Sequence, residues 1–119
     1  MGYQVEAIDR EKLLLVDLYG LVPIEERMSM LDELLFHVRE QRPKRCILDL
    51  SLMSEANREL DELVFADIVA GHAFWLRRVH FTLIHSDVFE PTIILAAFMR
   101  REGLKLSEFR LRDPEITKR

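Results

Sequence analysis

The strongest constraint on the fold is a regular alternation of short apolar runs with longer segments of helical periodicity. Tyr3, Val5 and Ala7 alternate with polar residues, which is the pattern of a half-buried strand. Residues 13–18 form a second run that is apolar except for one aspartate. Because only the short polar turn 9–11 separates the two runs, we expect them to form an antiparallel hairpin.

The rest of the chain alternates helix and strand signals. Helical segments begin near Pro23, Asn57 and Glu90, and strand-like runs occupy residues 46–50, 79–84 and 108–112. Strands that alternate with helices need crossover connections and therefore pair in parallel. We predict a single α/β domain over residues 1–119 with the order ββαβαβαβ. Its sheet has about five mostly parallel strands, the first of them antiparallel, and three to four helices accompany it.

Composition excludes several classes of protein. The longest apolar run, residues 93–99, is far shorter than the ~20 residues that cross a bilayer, so we predict no membrane partner. Glu6, Asp9 and Glu11 lie where a signal peptide would carry a basic flank, and we therefore expect a cytoplasmic location. The single cysteine, Cys46, excludes an internal disulfide and is interpreted as a packed thiol of a buried strand.

The net charge of −4 is unevenly distributed along the chain. Residues 99–119 contain seven basic and four acidic residues, whereas the preceding part is acidic. Phosphate binding normally needs a strongly basic face with aromatic or helical readout. We interpret the basic end as a solvated segment that balances the acidic body, and we predict no nucleic-acid partner.

The sequence lacks the common catalytic patterns. It contains no glycine-rich phosphate loop and no Gly-x-Ser-x-Gly elbow, and its four glycines are isolated from one another. No two of the four histidines lie three or four residues apart, as a pair of metal ligands on one helix face would. We therefore predict a protein that is not an enzyme and has neither a cofactor nor a metal site.

Two polar clusters follow predicted strands and are candidates for binding a ligand or a partner. Ser54 and Asn57 follow the third strand, and His85, Ser86 and Asp87 follow the fourth. In open α/β sheets, ligands bind at the carboxyl ends of the strands. The alternative is structural, because serine, asparagine and aspartate in such places also form turns and helix caps.

The second helix carries two apolar rows. The row predicted to dock on the sheet consists of Leu60, Val64, Ile68, Gly71 and Trp75. The second row, about a third of a turn away, consists of Phe65, Val69, His72 and Leu76. Leaving the second row in water would forfeit roughly 1.5–3 kcal/mol for each large side chain. We predict that a second copy covers it in a homodimer, and the alternative is that another part of the same chain does so.

The chain resembles the STAS domain (sulphate transporter and anti-sigma-factor antagonist), in particular its small SpoIIAA-like members. The resemblance covers nearly the whole sequence. It depends on the runs 12–21, 46–51 and 79–84, on Phe98-Met99 within a helix, and on the closing run 107–113.

This resemblance implies a regulatory, non-catalytic module that binds other proteins. In the anti-sigma-factor antagonists a partner kinase phosphorylates a hydroxyl at the start of the helix after the third strand. The corresponding residues here, 57–60, contain no hydroxyl, and Ser54 is the nearest one. The alternative function is a small-ligand or lipid-binding domain, with Phe74, Trp75, Phe89 and Phe98 as the apolar lining and His85, Ser86 and Asp87 as the polar rim.

Overall fold

The computed structural model describes residues 2–54, 59–86 and 90–111. Along the chain, the elements are β1 (Gly2–Ile8), a 3-10 turn (Asp9–Glu11), β2 (Leu13–Gly20), α1 (Ile24–Gln41), β3 (Arg45–Met53), α2 (Glu59–Gly71), α3 (Ala73–Leu76), β4 (His80–Ser86), α4 (Glu90–Arg101) and β5 (Lys105–Leu111). The predicted α/β fold class and the order of its elements are confirmed.

The sheet follows the chain in the order β1-β2-β3-β4-β5. β1 pairs antiparallel with β2, and all later pairs are parallel. Each crossover connection therefore places the next strand beside the previous one, always on the same side. Since such crossovers are right-handed, the helices lie on one face of the sheet, and α2 indeed contacts both α1 and α4.

The core lies between the sheet and this single layer of helices. Alternate residues of the central strands point towards the helices and are buried: Leu14, Val16 and Leu18 of β2, Cys46, Leu48 and Leu50 of β3, and Phe81 and Leu83 of β4. Side chains at the intervening positions of these strands are half-buried or exposed. In β1, the predicted apolar row of Tyr3, Val5 and Ala7 packs against this core.

The second helical segment is not continuous. α2 ends at Gly71, His72 leaves the helical conformation with φ −101° and ψ 19°, and the four-residue α3 follows. The N–H of His72 still donates to the carbonyl of Val69 at 3.0 Å. The break lets the chain turn into β4.

The two rows of this segment lie on the opposite sides from those predicted. Phe65, Val69 and Leu76 are buried in the core of the single chain, and His72 is half-buried. Leu60 and Val64, predicted to dock on the sheet, are 65% and 40% exposed. The prediction that a second copy covers the row of Phe65, Val69, His72 and Leu76 is therefore wrong, because the same chain already buries its large apolar side chains.

A buried ion pair and three small residues explain this orientation of α2. Glu62 shares the face of Phe65 and Val69 and is paired with Arg27 of α1, and both charged side chains are buried. Three buried alanines, Ala66 and Ala70 of α2 and Ala73 of α3, let this segment approach its neighbours closely. Rotating α2 to bury Leu60 and Val64 instead would break the pair and bring large side chains where small ones fit.

Candidate functional site

The predicted polar clusters are only partly described. Asn57 and Asp87 lie outside the described residues, and Ser86 is described in its backbone alone. Ser54 is exposed, and its N–H donates to the carbonyl of Gly20 at 2.9 Å, which joins the ends of β2 and β3. At this edge of the sheet, Ser54 is thus an accessible hydroxyl on a fixed backbone.

His85 faces the core rather than an open site. The side chain is 1% exposed, and its Nε2 lies 3.3 Å from Oε1 of Glu108 on β5. The other oxygen of Glu108 accepts from Nη1 of Arg100 on α4 at 2.7 Å. These three side chains join β4, β5 and α4 at one corner, so the structural interpretation of His85 is favoured over ligand contact.

Arg27 and Glu62 form a buried polar site that the sequence analysis missed. Nη1 of Arg27 donates to Oε2 of Glu62 at 2.7 Å, and its Nε donates to the carbonyl of Val22 at 3.0 Å. The guanidinium also lies 5.6 Å from the ring centre of Phe65. The available signal was a glutamate at the helical spacing of buried apolar residues, with an arginine on a neighbouring helix.

The core offers little space beside this ion pair. Two adjoining cavities, one lined by Arg27 and Glu62 and the other by Phe81 and Met99, have volumes of about 20 Å³ each. Such volumes suit a single water and are far below the 300–1,000 Å³ of typical ligand pockets. These cavities give no support to the predicted ligand- or lipid-binding alternative.

The face of the sheet opposite the helices is here called the outer face. No helix of the described residues covers it, and its side chains form three rows across the strands. The central row consists of Glu6, Leu15, Ile47, Thr82 and Ser107. Leu15, Ile47 and Thr82 in its middle are half-buried.

The two flanking rows carry opposite charges. The acidic row, towards the carboxyl ends of the parallel strands, consists of Gln4, Asp17, Asp49, Ile84 and Phe109. The basic row, towards their amino ends, consists of Ile8, Leu13, Arg45, His80 and Lys105. The outer face therefore has a central row of mixed character, with two aspartates on one side of it and basic side chains on the other.

Beyond the effect of burial, the carboxylates of the acidic row lie close enough together to raise the pKa of Asp17. Asp17 and Asp49 are directly paired across β2 and β3. Partial burial raises the pKa of Asp17, and the nearby carboxylates of Asp49 and Glu6 raise it further. Oδ1 of Asp49 accepts hydrogen bonds from the backbone N–H and the hydroxyl of Ser51, at 2.9 and 2.6 Å. The row thus concentrates negative charge that has no cation in contact with it among the described residues.

Neither a metal-binding cluster nor a membrane-spanning helix is present among the described residues. In ranges 2–54, 59–86 and 90–111, no three His, Cys, Asp or Glu side chains are grouped as a metal site would require. No helix in that part of the chain combines the length and apolar character needed to cross a membrane. No protein-family model matches the sequence, and no curated protein was found to be similar to it. The fold and its faces define the class instead: an α/β domain with one helical layer and an uncovered sheet face.

Proposed function

We propose that the protein is a non-catalytic, regulatory protein-interaction module of the SpoIIAA-like type that forms a homodimer through the outer face. The observation that carries this proposal is the uncovered face of a largely parallel sheet. Parallel sheets are normally buried on both faces. Here Leu15, Ile47 and Ile84 stay half-buried on one of them, although no helix covers them within the described residues.

The charge pattern of the outer face favours a second copy as its cover. Consider a two-fold axis that lies in the plane of the interface and runs perpendicular to the strands. It brings the two outer faces together with their strands antiparallel. The acidic row of each copy then lies over the basic row of the other, with Asp49 opposite Arg45 of the second copy. A two-fold axis parallel to the strands would instead place Asp49 over Asp49, which like-charge repulsion disfavours.

The exposed row of α2 and α3 suits self-association less well. Its large apolar side chains are Leu60, Leu63, Val64, Phe74 and Trp75. The charged residues of α2 are all acidic, and Asp67, on the same face, is exposed. A two-fold contact between two copies of α2 would therefore bring like charges together, whereas the outer face carries both signs.

Charge reversal tests the proposal. One variant reverses the acidic row, Asp17→Lys with Asp49→Lys, and the other reverses the basic row, Arg45→Glu with Lys105→Glu. Light scattering should give twice 14.1 kDa for the native chain and a monomer for each variant alone. Mixed together, the two variants should form a one-to-one dimer, because each acidic row then meets a basic row again.

Two controls separate surface effects from folding effects. Asp49→Asn removes the charge but keeps an oxygen that can accept from Ser51, so it tests the acidic row with less risk to the backbone. Val64→Glu changes the exposed row of α2 and should leave the dimer intact. If the native chain is a monomer, or if only Val64→Glu dissociates it, the outer face is not the interface.

A further inference from the structure

A second surface feature lies at the opposite edge of the sheet from Ser54. A cleft of about 220 Å³ opens between the C-terminal end of α1, the turn into β3 and the turn between α3 and β4. Three basic side chains, Arg42, Lys44 and Arg78, line it together with Trp75. Val38 and Val79 supply an apolar floor. The cleft therefore joins positive charge, an aromatic ring and apolar surface in one concavity.

The charge in the cleft is not neutralised within the described chain. Arg42, Lys44 and Arg78 are all exposed, and none forms an ion pair with a described carboxylate. The C-terminal end of α1 contributes about half a negative charge. Three cations exceed this several-fold, so the cleft is positive although the whole chain carries −4.

Backbone hydrogen bonds hold the walls of the cleft in place. The N–H of His80 donates to the carbonyl of Lys44 at 2.9 Å, which ties the turn before β3 to the turn before β4. Within the second turn, the N–H of Arg77 donates to Ala73 at 2.9 Å and that of Val79 to Leu76 at 3.1 Å. Binding would therefore need little backbone reordering, which lowers its entropic cost.

The basic side chains of the cleft favour an anionic ligand, and Trp75 favours a ligand that also has a planar ring. Trp75 is 42% exposed and meets the ring of Phe74 edge-on, at 5.6 Å between ring centres. An exposed indole face stacks with planar rings, and guanidinium groups bind phosphate oxygens in pairs. We propose that this cleft binds a small organic anion, a phosphate ester that carries a planar ring. None of the residues that line the cleft belongs to the acidic, central or basic row, so this site and the proposed dimer depend on different side chains.

Trp75 is the only tryptophan of the chain, so its fluorescence reports on the cleft directly. The native protein is titrated with phenyl phosphate, and separately with inorganic phosphate and with phenol as the two halves of that probe. We expect saturable quenching by phenyl phosphate at least about tenfold tighter than by either half. The affinity should fall as salt is raised, because the contacts are charged.

Matched variants decide whether the cleft is responsible. Lys44→Gln and Arg78→Gln should each weaken binding about tenfold or more, whereas Arg101→Gln on α4 removes one charge outside the cleft and should have no effect. Equal weakening by Arg101→Gln, or no saturable quenching with any probe, would overturn the site. Tighter binding of longer single-stranded oligonucleotides would show that the cleft binds an extended polyanion, and it would overturn the small-ligand proposal.

Discussion

Cys46 is a thiol whose chemistry is set by burial. The side chain is fully buried, and this burial raises its pKa to about 12. At pH 8 about one molecule in 10,000 would carry the reactive thiolate. We expect no reaction with a thiol-specific reagent in the native protein and complete reaction in urea, measured by absorbance. Rapid labelling of the folded chain at pH 8 would contradict the packed-thiol interpretation.

Asp17 should destabilise the fold at neutral pH. Its pKa is raised in the folded state, so the unfolded chain ionises first as the pH increases, and stability is lost as the pH rises from near 3.8 through the raised value. Asp17→Asn should therefore stabilise the monomer at pH 7, by less than about 1 kcal/mol because the group is mostly solvated. The gain should vanish near pH 3.5. Urea midpoints at both pH values, at protein concentrations low enough to keep the chain monomeric, measure this gain, with exposed Asp32→Asn on α1 as the control.

Between elements, the ion pair of Arg27 and Glu62 is the most sensitive contact that we identify. Glu62→Ala leaves the buried guanidinium without its carboxylate, which should lower the free energy of unfolding by about 3–5 kcal/mol. Asp67→Ala, on the exposed face of the same helix, should change it by less than about 0.5 kcal/mol. Urea denaturation compares the two variants.

The double replacement Arg27→Leu with Glu62→Leu tests whether the unpaired buried charge causes the loss of stability in Glu62→Ala. Removing both charges avoids an unpaired buried ion, so this variant should be clearly more stable than Glu62→Ala. If it is no more stable, lost packing rather than the orphaned charge explains the effect. A loss below 1 kcal/mol in Glu62→Ala would show that α2 does not depend on the pair.

The end of α4 offers a paired test of backbone conformation. Gly103 has φ +79°, and the N–H of Leu104 donates back to the carbonyl of Met99 at 3.1 Å, which closes the helix. Gly103→Ala should cost about 1 kcal/mol. Gly71→Ala, which has open space around it and no positive φ, should be neutral or slightly stabilising. Thermal unfolding distinguishes them, and equal effects would contradict the conformational argument.

For the whole molecule, the proposed dimer has a characteristic response to salt. The acidic and basic rows lie at the rims of the interface, where ions screen them over about 10 Å at 0.1 M and 3 Å at 1 M. We expect the dissociation constant to rise when salt increases from 0.05 to 0.5 M, measured by sedimentation. An association that strengthens with salt would indicate an apolar contact instead, such as the exposed row of α2 and α3.

The sequence by itself determined the order of the elements and the mostly parallel sheet with its antiparallel first strand. These features follow from local periodicity and from the handedness of crossovers, which act within a few residues or one connection. Cys46 was predictable as a buried thiol because it lies within such a strand-like run. The SpoIIAA-like relationship and the regulatory function remain proposals.

Only the tertiary structure decided which side of α2 is buried. That helix is apolar on both sides, so periodicity could not choose between the rows of Leu60 and Phe65. The choice depends on Arg27, 35 residues before Glu62, and on alanines that fit close to neighbouring helices. The cleft of Trp75 likewise joins residues about 35 positions apart, and the charged rows exist only once the strands are in register. Contacts between distant residues leave no periodic signal, because each partner alone resembles an ordinary surface residue.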